Sequence, residues 1–79
     1  MSRHGDFYAE HHPVRVLAAH DGGPMTVRAL TAEATRIDGH NWHPAHIGAS
    51  LGAARLHGEV RRVGPLADDY REQRWEAVA

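Results

Sequence analysis

Seventy-nine residues with nine basic groups, all of them arginine, ten acidic groups, eight histidines and no cysteine give a formal net charge of -1 and room for one small domain. The lack of cysteine excludes disulfides, cysteine-based zinc sites and thiol chemistry, and it fits a reducing cytoplasm. Thirteen of the 33 apolar residues are alanine, so the large apolar side chains are few and stability is expected to be modest.

Residues 1–12 are polar apart from Phe7 and Tyr8 and read as a flexible N-terminal arm, leaving residues 13–79 as the domain. Pro13 suits a first helical position, and Val14, Leu17 and Ala18 recur at helical spacing until the Asp21-Gly22-Gly23-Pro24 breaker. Thr26 is a good N-cap for a second helix, whose Val27, Leu30 and Ala34 share a face and which ends near Arg36. Asp38 to His43 has turn chemistry, and Pro44 opens a third helix over 44–57 with Ile47, Leu51 and Ala54 as its buried stripe and Gly58 as its stop. Gly48 and Gly52 inside that helix each cost about 1 kcal/mol against alanine, which predicts a close approach to the backbone there, in the plainest case packing on the second helix. Val60 and Val63 flank Arg61-Arg62 in a strand, Gly64-Pro65 turns the chain, and Gln73, Trp75 and Ala77 alternate with polar neighbours in a return strand. Asp68 and Asp69 read as solvated turn residues, Trp42 as a cover for the corner between the second and third helices, and Trp75 as packing under the hairpin. No apolar run exceeds four residues, which excludes a membrane span and a signal-peptide core, and no segment repeats.

The order of three short helices and a two-stranded hairpin resembles the α+β winged helix-turn-helix DNA-binding domain family over roughly residues 13–78. Thr26-Val27-Arg28-Ala29-Leu30 resembles the start of that family's second helix, and Ile47, Leu51, Ala54, Gly58 and Val60 resemble its recognition-helix phrase. The resemblance implies double-stranded DNA as partner, with helix 44–57 in a major groove and an arginine-bearing wing beside the backbone. The residues it implies for DNA contact are Arg28, Arg36, His43, Ala45, His46, Ala49, Ser50, Arg55, Arg61 and Arg62. Such domains serve transcription regulators and recombination-directionality factors, so the expectation is a small cytoplasmic bacterial or phage regulator, with a homodimer or another protein as possible partner.

Charge along the chain favours that face. Residues 36–64 carry a local surplus of +2, from Arg36, Arg55, Arg61 and Arg62 against Asp38 and Glu59, whereas the flanks are acidic. The outward positions of the third helix depart from the family pattern: among Pro44, Ala45, His46, Ala49, Ser50 and Ala53, only His46 and Ser50 are able to hydrogen-bond a base edge. That departure keeps a second reading open, a winged-helix protein-interaction module without DNA binding.

His40, His43 and His46 stand at metal-ligand spacing, yet without cysteine and with Asp38 as the nearest carboxylate they do not assemble a closed tetrahedral set, so neither metal nor cofactor is expected. No phosphate-binding loop or nucleophile motif is present, and so small a three-helix body leaves little room for a cleft of about 300 Å³, so no enzyme is expected.

Overall fold

The computed structural model describes residues 12–78 apart from 21 and 40. In chain order the elements are α1 (His12–Ala19), β1 (Met25–Thr26), α2 (Val27–Asp38), α3 (Pro44–Leu56), β2 (Val60–Val63), a 3₁₀ turn (Tyr70–Glu72) and β3 (Arg74–Ala77). The architecture is α+β: three helices against a three-stranded antiparallel sheet of order β1-β3-β2. The third strand is a correction to the two-stranded hairpin expected from sequence. Met25 pairs with Trp75 and Thr26 with Arg74, and two residues are too few to show a strand period. The expected arm falls outside the described residues except for His12, which opens α1.

Local chemistry sets the helix ends. Thr26 accepts the Ala29 N–H at 3.0 Å and caps α2, which runs two residues beyond Arg36 and ends at Gly39, in a left-handed conformation with φ of 78°. Thr35 ties the corner to α3: its carbonyl accepts the Gly39 N–H at 2.9 Å and its hydroxyl the Trp42 N–H at 3.0 Å. Trp42 is half-buried there against the core, as the sequence predicts. α3 starts at Pro44 and ends at Leu56, with His57 as its C-cap.

One apolar core joins the layers. Val14 and Leu17 of α1, Val27, Leu30 and Ala34 of α2, and Ile47, Leu51 and Ala54 of α3 meet Met25, Val60 and Trp75 of the sheet. The register sets Arg62 opposite Trp75 and Arg61 opposite Glu76, so by strand alternation Val60, Arg62 and Trp75 share the sheet face turned to the helices, and Arg61 and Glu76 share the other. No helix among the described residues is long and apolar enough to cross a membrane.

Candidate functional site

α3 carries the candidate site, because burial of Ile47, Leu51 and Ala54 turns Ala45, His46 and Ala49 outward and leaves them exposed. His43 is exposed and caps the helix, its Nδ1 accepting the Ala45 N–H at 3.3 Å. The His46 ring meets Trp42 edge-on with centroids 5.5 Å apart, which fixes the side of α3 nearer the α2 corner. Ser50 is a correction. It stands three residues after Ile47 and one before Leu51, on the buried stripe itself, is fully buried, and cannot meet a base edge. Its hydroxyl oxygen has no hydrogen-bond partner among the described residues.

The arginines divide into two groups. Arg28 Nε and Nη2 lie 2.7 and 2.6 Å from Glu72 Oε2, Arg36 Nη2 lies 2.5 Å from Glu33, and Arg61 Nε lies 2.5 Å from Glu76. The Glu33 carboxyl is held below its ordinary value by its hydrogen bond from Arg36, against the opposing effect of desolvation. Arg55 and Arg62 are exposed and make no ion pair among the described residues. The local +2 counted along the sequence is thus partly cancelled in space, since antiparallel pairing brings Glu76 from the acidic C-terminal stretch onto Arg61. These pairs are solvent-exposed and weakly bound, so their guanidinium groups are able to exchange a carboxylate for a phosphate.

Between α3 and the turn after β2 lies a cleft of about 500 Å³, which corrects the expectation that so small a body has little room for one. Ala45, Gly48 and Ala49 line one wall, Leu66 to Asp68 and Tyr70 the other, and Val27, Gln73 and Trp75 the base, with Arg62 at its side. The close approach expected at Gly48 comes from the turn and not from α2, since a Cβ there would lie 3.4 Å from two Tyr70 ring carbons, whereas Gly52 is a correction, because a Cβ there would meet nothing within 4 Å. Asp68 and Asp69 lie in the bend before the 3₁₀ turn, the first exposed and the second half-buried, as the sequence reading has them; Asp68 also lines the cleft, and Asp69 caps the 3₁₀ turn by accepting the Arg71 N–H at 3.0 Å and pairing with the Arg71 guanidinium. Linear pattern gave no signal for this cleft beyond the glycine at 48, because its second wall comes from a turn twenty residues away in sequence.

His40 lies outside the described residues, and among the described residues no three histidine, aspartate or glutamate side chains cluster to hold a metal ion. Comparison of the chain with protein families, with curated proteins and with solved structures finds no match.

Proposed function

We propose that the chain is a winged helix-turn-helix domain that binds double-stranded DNA, inserting the N-terminal half of α3 into a major groove with the β2–β3 hairpin as its wing. The observation that carries this reading is the sharing of one face: Ala45 and Ala49, the outward residues of α3, line the same cleft as Arg62 of β2, which has no competing carboxylate bonded to it among the described residues. The helix–strand order, with β1 between the first two helices, supports it further. Arg55 and Arg62 are the leading phosphate contacts, Arg28, Arg36 and Arg61 contribute after exchange of their carboxylates, and His43, Ala45, His46 and Ala49 meet the groove. A small bacterial or phage transcription regulator or recombination-directionality factor, acting in the cytoplasm as a monomer or homodimer, is the setting that suits such a domain.

Anisotropy of labelled duplexes, random and from neighbouring operons, tests this at low and moderate salt. Arg55→Ala with Arg62→Ala is expected to weaken all duplexes about equally and to make the salt slope shallower by roughly two units. No duplex binding at low salt ends the DNA reading. The second reading, a protein-interaction module, then leads, favoured by the net charge of -1 and by Leu66 and Tyr70, 70% and 48% exposed beside the cleft.

A further inference from the structure

Groove insertion uses only the α3 rim of the cleft, and its interior has chemistry of its own. Its walls are mainly apolar, and its volume of about 500 Å³ lies within the usual range for small-molecule sites. Two polar features converge on it. Strand alternation turns Arg62 toward the cleft on the Trp75 side of the sheet, away from Glu76, and this guanidinium has no ion pair among the described residues. Trp75, which also lines the cleft, is 7% exposed and offers it apolar ring surface, its Nε1–H being sealed from solvent. Asp68, on the opposite wall, adds a carboxylate that accepts but does not donate when ionised.

We propose that this cleft binds a small planar aromatic anion. Its acidic group sits on Arg62, its rings lie along Ala45, Gly48 and Ala49, and an N–H or O–H on the ring system donates to Asp68. A purely apolar occupant forgoes the charge-assisted bonds that Arg62 and Asp68 offer across the cleft, and a cation is repelled by Arg62. Because Ala45 and Ala49 line the cleft and also face outward on α3, occupant and duplex exclude each other, and by linkage the anion lowers DNA affinity. The exclusion rests on the DNA reading, whereas the site itself does not.

6-Hydroxynaphthalene-2-sulfonate is a suitable probe, since it carries one sulfonate at one end of a planar two-ring system and one O–H at the other. Titrated into the isotope-labelled full chain and followed by amide proton–nitrogen correlation spectra, it is expected to give saturable, one-to-one shifts centred on Gly48, Ala49, Arg62 and the Trp75 indole N–H, with the Trp42 indole signal little moved. Arg62→Gln is expected to weaken binding about tenfold in a chain that keeps its spectral dispersion. Ala49→Leu, at an exposed helical position, fills the cleft and abolishes binding. Shifts that spread over the whole chain, fail to saturate, or persist with unchanged affinity in Ala49→Leu overturn the site. In a second arm, labelled-duplex affinity is measured with and without saturating probe. Reduced affinity supports the exclusion, and unchanged affinity with the probe bound overturns it. Saturable probe binding in a chain that binds no duplex supports the site and overturns the DNA reading alone.

Discussion

The buried side-chain amide of Gln73 accepts the Ala67 N–H at 3.0 Å through Oε1, clasping the turn after β2 to the start of β3. Its Nε2 donates at 3.3 Å to the carbonyl of Val63 and at 3.2 Å to that of Arg74, so the amide joins both ends of the turn and orients the cleft wall from Leu66 to Tyr70. Gln73→Glu keeps the shape and replaces the donor with an oxygen facing two carbonyl oxygens. It is expected to cost about 1–3 kcal/mol at neutral pH, read from urea unfolding. Wild-type stability in this variant means that the amide does not hold the turn.

Gly52 and Gly58 are expected to respond to alanine with opposite signs. A Cβ at Gly52 has open space and no backbone conflict, so Gly52→Ala gains up to about 1 kcal/mol of helix propensity. Gly58 follows α3 with φ of +75°, a conformation that costs an L-residue roughly 1–2 kcal/mol, so Gly58→Ala loses about that much. Thermal melting of the two variants side by side checks this, and a shared sign refutes it.

Ser50→Ala removes a fully buried hydroxyl that has no partner among the described residues and leaves a side chain of nearly the same size. The expected outcome is unchanged or higher stability, by up to about 1–2 kcal/mol, together with unchanged affinity for duplex DNA. Weaker DNA binding in a fully folded Ser50→Ala chain contradicts the burial of this side chain.

What was legible in the sequence follows from the range of each signal. Caps and stops act over a few residues, so Thr26, Pro44 and Gly58 mark α2 and α3 where the structure has them, and the Ile47–Leu51–Ala54 stripe names the core face. β1 escaped because two residues carry no period. Ser50 escaped because a serine looks polar wherever it stands, although its spacing from Ile47 already put it on the buried side. The cleft and the Arg61–Glu76 pair escaped for a different reason: both are set by the antiparallel return of the chain, which joins residues whose local charge and pattern give no hint of each other.

Acid stability should carry the mark of two ion pairs. Hydrogen bonds from the Arg71 side chain, and then from its backbone N–H, hold Asp69 below its ordinary value, and Arg36 does the same for Glu33, with desolvation opposing in both. A carboxyl whose folded value is depressed contributes stability above its unfolded value and loses it as pH falls through the folded value. The expected loss therefore begins in the ordinary carboxylate range, near about pH 4, and continues below it. Arg71→Gln is expected to move the Asp69 midpoint upward toward that range in a carboxyl-carbon titration and to leave Glu33 where it was. An unmoved Asp69 midpoint refutes the pairing as its cause.

His43 offers a test in which stability and DNA affinity move apart. Its Nδ1 is the side-chain acceptor at the start of α3, the bond to the Ala45 N–H is long at 3.3 Å, and the first turn of this helix has no acidic residue. Aspartate is a stronger N-cap and places negative charge against the positive end of the helix dipole, so His43→Asp is expected to stabilise the fold by about 0.5–1 kcal/mol. In a domain of this size that raises the melting temperature by a few degrees. The proposed docking brings the same helix end against the phosphates, where the new carboxylate repels DNA, and duplex affinity is expected to fall about tenfold or more at low salt. His43→Ala separates the two effects: it loses the cap and about 0.5–1 kcal/mol of stability, introduces no charge, and is expected to bind duplex much more tightly than His43→Asp despite being the less stable chain. A His43→Asp chain that melts higher and binds duplex as well as wild type removes the N-terminus of α3 from the DNA interface, and with it the docking proposed for this helix.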